Sequence, residues 1–128
     1  MKTVTISIMI SLLMIIGAIA LSAGKGDGVQ AVDANNVTIV DGKQIIEIKA
    51  GGGYSPQKSI AQAGIPTIIR FDTKNTFDCS SSVRIPSMNI SQILPQTGTT
   101  DIDIGNPKVG IFQGMCGMGM YQFAVDFK

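Results

Sequence analysis

Between Asn36 and Lys128 apolar side chains recur at every second position in short runs, and no long window repeats at the 3.6-residue period of a helix. In Gln44 to Ala50, Ile46, Ile48 and Ala50 fall on one side of an extended chain, and Glu47 and Lys49 on the other. In Thr100 to Ile104, Ile102 and Ile104 alternate with Asp101 and Asp103; in Tyr121 to Lys128, Phe123, Val125 and Phe127 alternate with Gln122 and Asp126. Each run predicts a strand with one buried face. Ile65 to Thr73 and Ser82 to Ile85 are further strands, bounded by Gly64, a Ser cluster and Pro86. Turn signals at Asp41-Gly42, Gly51-Gly52-Gly53, Pro56, Gly64 and Gly105-Asn106-Pro107 have the spacing of an all-β sandwich or barrel. A chain of 128 residues holds one such unit, placed here at residues 36–128. Leu94-Pro95-Gln96-Thr97-Gly98 matches the LPxTG pattern of sortase substrates, but no hydrophobic tail follows it, and it is read as a turn between two strands.

The first part of the chain has a different character. Val4 to Leu21 is an uncharged apolar run of 18 residues with Lys2 before it and Lys25 after it. That is close to the roughly 20 residues that cross a bilayer as one helix. Residues 1–23 are therefore expected to be a signal or anchor segment. Ala20-Leu21-Ser22 offers the small residues that a signal peptidase reads, yet the apolar run exceeds the about 7 to 15 residues of a cleaved signal, which favours a retained anchor. Residues 24–35 lack hydrophobic periodicity and are expected to be a flexible linker. The domain is then expected on the extracytoplasmic side of the cell membrane, or secreted if the segment is cleaved.

Charge and chemistry narrow the function. Ten Lys and Arg against nine Asp and Glu leave a net charge of +1, with no basic patch, so nucleic acid is not an expected partner. The chain has no His, which removes the usual general base, the commonest metal ligand and any Ser-His-Asp or Cys-His arrangement. No acid-base constellation replaces it, and the protein is not expected to be an enzyme. The distinctive chemistry is sulfur, with two Cys and seven Met. It concentrates in Gly114-Met115-Cys116-Gly117-Met118-Gly119-Met120, where Gly117 and Gly119 let the backbone fold tightly and several sulfurs converge on one ion. Soft thiolate and thioether ligands select Cu(I) and offer little to Mg²⁺ or Ca²⁺. Met and Cys also fill cores, but glycines contribute no packing, so interleaving with Gly favours metal binding.

Gly53-Tyr54-Ser55-Pro56, Ile60, Gly64-Ile65-Pro66 and Ile69-Arg70-Phe71 resemble the opening of small cupredoxin-like domains, including the one attached to the iron-transport protein EfeO. Phe77-Asp78-Cys79-Ser80, Leu94-Pro95 and Cys116-Gly117-Met118-Gly119-Met120 resemble the same group, so that the likeness runs from Val37 to Phe127. The resemblance implies a Greek-key β-sandwich that holds copper at one end, with one ligand from a mid-chain loop and the rest from the loop before the last strand. Cys79 and Cys116 fall at those two places. Blue-copper sites use two His, one Cys and a weak axial Met. Here Cys79 stands in the mid-chain His position, and Met118 or Met120 in place of the downstream His. The implied metal ligands are Cys79, Cys116, Met120 and Met118, with Met120 ranked before Met118, Met88 a weak candidate, and Asp78 a solvated turn residue. Such a set favours Cu(I) sequestration, transfer or sensing, with the ion and a metal-exchange protein as partners.

Two alternatives stay open. One is a copper electron-transfer protein. The other is a structural or interaction domain without metal, since an exported pair of Cys commonly forms a disulfide. A bridge would also remove the thiolates, so oxidation of the pair would switch metal affinity off.

Overall fold

The computed structural model describes residues 36–128; the expected N-terminal helix, its anchor or signal role, and the linker lie outside the described residues. Among the described residues no helix is long and apolar enough to cross a membrane. Ten strands follow in chain order: β1 (Val37–Val40), β2 (Lys43–Ala50), β3 (Tyr54–Ser55), β4 (Lys58–Ala61), β5 (Thr67–Thr73), β6 (Ser82–Ile85), β7 (Ile90–Ile93), β8 (Gly98–Gly105), β9 (Gly110–Cys116) and β10 (Gln122–Phe127). One sheet has the order β1-β2-β5-β8 with β3 on β2, and the other β4-β10-β9-β6-β7. The chain passes between the sheets five times, which makes β2 and β5, and β4 and β10, parallel neighbours in an otherwise antiparallel Greek-key sandwich.

The alternating runs bury the expected faces. Ile46, Ile48, Ala50, Ile69, Phe71, Ile102 and Ile104 from the first sheet join Val83, Ile85, Phe123, Val125 and Phe127 from the second in one core. Tyr54, Phe71 and Phe123 meet edge to face at its centre, with ring centroids 5.1 to 6.0 Å apart. Gly114 makes room for this cluster, because a Cβ at that position would penetrate the Phe123 ring. Burying the polar Gln44 is offset by its own bonds. Its side-chain nitrogen donates to Thr67 Oγ1 and to the Gln62 carbonyl, each at 3.0 Å, and its oxygen accepts from the Gln62 amide at 2.9 Å.

Five strands escape the periodicity argument, β1, β3, β4, β7 and β9; β3 is only two residues long, and in β9 only Gly114 and Cys116 are buried. β1 and β7 are edge strands with no fully buried residue, so neither carries an alternating apolar signal. In β4 the pattern is inverted: Ile60 faces solvent while Ser59 is buried and accepts from Asn36 Nδ2 at 2.8 Å. The Leu94 to Gly98 segment is the expected connection between β7 and β8, with Leu94 buried and Gly98 at φ 142° as the first residue of β8.

The cross-strand pair of β5 and β8 sets one pH dependence. Arg70 Nε donates to Asp101 Oδ1 at 2.7 Å and Nη2 to Oδ2 at 2.9 Å, across directly paired positions. These bonds hold the Asp101 carboxyl below its usual value of 3.8. A lowered carboxyl contributes stability that is present above the unfolded-state value and lost as pH falls through the folded one. Asp101→Asn is therefore expected to flatten the loss of stability below about pH 4 while changing little at pH 7, because the pair is exposed. Urea unfolding midpoints from pH 2 to 7 would check this.

Candidate metal centre

Four connections gather at one end of the sandwich: residues 51–53 after β2, 74–81 between β5 and β6, 94–97 between β7 and β8, and 117–121 between β9 and β10. The mid-chain cysteine opens a short 3₁₀ turn, Cys79–Ser81, and the downstream one ends β9. Val83 of β6 lies directly opposite Cys116 in the sheet, so the turn leading into β6 carries Cys79 to the end of β9. The two Cα atoms are 5.6 Å apart and the sulfurs are joined in a disulfide. Of the two arrangements open from the sequence, the structure shows the bonded one.

Asp78 fixes the turn that carries Cys79. Its Oδ1 accepts from the Ser80 amide at 3.2 Å and from the Ser80 hydroxyl, and its Oδ2 accepts from the Gly52 amide at 2.6 Å. The Ser80 hydroxyl, ahead of the two amides, holds the carboxyl below its ordinary value. The residue is thus exposed and in a turn, as expected, and it also clasps the Gly51–Gly53 turn to the cysteine turn. Below it, burial and then the charge of Asp78 push the Tyr54 hydroxyl up to about 12. Tyr54 stays protonated and donates to the Ser82 carbonyl at 3.4 Å.

The sulfur-rich segment is not a free loop over its whole length. Gly114, Met115 and Cys116 belong to β9, and only residues 117–121 form the connection to β10. Strand geometry therefore points Cys116 inward, fully buried, and Met115 to the other face. Met115 lines an open groove of about 820 Å³ with Met88, Val109, Ile111 and Phe112, a grouping separate from the cysteine pair. The turn itself is tight. The Cys116 amide donates to the Tyr121 carbonyl at 2.9 Å, the Gly119 amide to the Cys116 carbonyl at 2.9 Å, and the Gly117 amide to the Ser82 carbonyl at 2.9 Å. Gly119 adopts φ 73°, which a residue with a Cβ rarely takes.

Within this turn the Tyr121 amide donates to Cys116 Sγ at 3.4 Å. A backbone donor aimed at a sulfur favours its thiolate form. Met118 and Met120 stand on the same turn, 82% and 66% exposed, and Met120 lines a shallow depression with Gln57, Lys58 and Gln122. Of the four implied ligands the structure thus brings Cys79 and Cys116 together, and leaves Met118 and Met120 exposed on the turn that follows Cys116. Phe77 is also exposed here. Among the described residues no three His, Cys, Asp or Glu side chains gather in a metal-binding group. Tyr121 was not visible as a site residue from sequence, because it acts through its backbone amide. The Asp78 clasp had one signal, the Asp-x-Ser spacing of a side-chain turn.

The model of the cupredoxin-like domain family matches residues 11–125. The chain belongs to the cupredoxin-like domain family. Two solved structures share this cupredoxin-like fold. The metal binding domain of the Streptococcus pneumoniae D39 Cu(I) exporting P-type ATPase CopA, determined with Cu(I), superposes with a TM-score of 0.68 at 22% identity, over 77% of this chain and 98% of that one. A copper binding protein, determined in solution in the apo form, gives a TM-score of 0.68 at 23% identity, over 77% of this chain and 100% of that one. No curated protein matches at a significant level.

Proposed function

We propose that this cupredoxin-like domain binds Cu(I) in its reduced state, for sequestration, transfer or sensing, through the thiolates of Cys79 and Cys116 completed by Met120 and Met118. One observation carries the reading: two chain segments 37 residues apart place two cysteines within bonding reach, and the turn that follows the second of them exposes two thioethers. The donor chemistry fits the ion. Two thiolates and thioethers suit a soft monovalent cation; among the described residues no group of three His, Cys, Asp or Glu is formed, and methionine supplies the further soft donor for a site of more than two ligands. The buried Cys116 sulfur accepts an amide hydrogen bond, which favours a thiolate once the bridge is reduced. Membership of the cupredoxin-like family, and likeness to the metal binding domain of a Cu(I) exporting ATPase and to a copper binding protein, are in keeping with this role. Ligation without catalysis, a location outside the cytoplasm behind an N-terminal anchor, and delivery to or from a metal-exchange protein complete the proposal.

Competitive titration of the reduced full chain with Cu(I) against a chromophoric chelator tests it. The expected result is one or more ions per chain, abolished by Cys116→Ser. Met120→Leu, which keeps apolar volume and removes the sulfur, is expected to weaken binding by roughly tenfold, and Met118→Leu by less; a factor of 10 to 100 is the usual scale of lesions around a metal site. Binding unaffected by either leucine variant would leave the thioethers outside the site. The disulfide favours a second reading, a metal-free interaction domain with Phe77, Met118 and Met120 as its contact surface. Failure of the reduced chain to retain Cu(I) would select it.

A further inference from the structure

The two halves of the disulfide are not equivalent. Cys116 closes a central strand, is fully buried as part of the core, and has the 117–121 turn hydrogen-bonded back onto it. Cys79 is only partly buried, and the two residues before it, Phe77 and Asp78, are exposed. Thiol–disulfide exchange proceeds by attack of a thiolate on one sulfur, in line with the bond, while the other sulfur leaves. In-line attack on Cys116 has to reach the sulfur of a fully buried residue. In-line attack on Cys79 has to reach the sulfur of a residue that is partly exposed. The sulfur expelled by that attack is the one that already has a donor: the Tyr121 amide, 3.4 Å from Cys116 Sγ, stabilises the charge that develops on it. Access and leaving-group stabilisation therefore point the same way.

We propose that the Cys79–Cys116 bond is a substrate for a dithiol protein reductant, which attacks Cys79 and releases Cys116. In the first step the reductant's thiolate forms a bond to Cys79 Sγ while the Sγ–Sγ bond breaks, and the electron pair leaves on Cys116, which then takes up a proton or remains a thiolate. In the second step the reductant's other thiol attacks its own sulfur in the mixed disulfide and expels Cys79. The reductant ends as a disulfide, oxidised by two electrons, and the domain gains two electrons, with one proton for each cysteine sulfur that becomes a thiol. Exposed Phe77 on one side of Cys79 and exposed Met118 beyond Cys116 give such a partner an apolar rim. The consequence for metal binding rests on the Cu(I) reading, because this step regenerates the thiolates that reading requires. The regiochemistry does not depend on it.

The test uses the oxidised full chain and a thioredoxin whose resolving cysteine is replaced by serine, so that the mixed disulfide accumulates. Peptide mapping without reduction is expected to find the thioredoxin on Cys79 in at least about tenfold excess over Cys116, the scale on which burial separates thiol reactivities. In the reduced chain, Cys79 is likewise expected to be alkylated by iodoacetamide first. Equal or preferential linkage to Cys116 would overturn the proposal, as would the absence of any mixed disulfide while a small phosphine cleaves the bond. Cu(I) titration of phosphine-reduced chain, after the phosphine is removed, reports on the copper reading alone, so the two fail separately.

Discussion

Reduction of the Cys79–Cys116 bond is expected to lower the stability of the metal-free domain by about 3 to 4 kcal/mol, and Cu(I) is expected to restore a large part of it. The first figure follows from the sequence separation of 37 residues between the paired cysteines, which the bridge closes into a loop whose entropy is removed from the unfolded chain. The second follows from linkage: an ion that binds the native arrangement and not the unfolded chain adds about 2.7 kcal/mol at a hundredfold excess over its dissociation constant. Urea unfolding of the oxidised, reduced and reduced Cu(I)-loaded full chain would give three midpoints in the order oxidised, then loaded, then reduced, or with the first two close together. A loaded midpoint equal to the reduced one would mean that the ion does not recognise the folded site. The same comparison in Cys116→Ser should show no gain from Cu(I).

Phe123→Ala is expected to cost about 3 to 5 kcal/mol, the range for emptying a fully buried phenylalanine. Its ring is shared. It contacts Tyr54 at 5.1 Å and Phe71 at 5.4 Å between centroids and lies against Gly114, so that one substitution loosens both sheets and the strand leading to Cys116. Gly114→Ala approaches the same damage from the other side, because the added methyl has no space unless the Phe123 ring moves. Thermal unfolding of the disulfide-bonded proteins would separate this packing effect from that of the bridge. A loss under 1 kcal/mol for Phe123→Ala would mean that the aromatic cluster does not hold the sheets together.

The strands that face the core were legible because burial on one side writes a period of two into the sequence. β2, β8 and β10 show it in the runs Ile46 to Ala50, Asp101 to Ile104 and Gln122 to Phe127, and their apolar faces are the buried ones. β1 and β7 were not legible, since neither has a fully buried residue and a strand without a buried face has no reason to alternate. β4 was misleading rather than silent. The hydrogen bond from Asn36 lets Ser59 occupy the inner face and leaves Ile60 outside.

The candidate site shows the same division. Residue types and the family likeness brought out Cys79 and Cys116, and the fold joins them. The extent of the sulfur loop was overread: Gly114, Met115 and Cys116 belong to β9, where Gly114 clears the Phe123 ring. The amide of Tyr121 was beyond reach from sequence, since any residue other than proline supplies one at that position. What distinguishes it is only that the turn aims it at Cys116 Sγ.

X-ray absorption at the copper edge of the reduced, Cu(I)-loaded full chain tests the central claim most directly, because it reads the ligand atoms without assuming which residues supply them. The account predicts a Cu(I) edge and a first shell made of sulfur alone, with more than two sulfurs per ion and one fewer in Met120→Leu. A shell containing nitrogen or oxygen, or one of two sulfurs that does not change when Met118 and Met120 are both replaced by leucine, would contradict it.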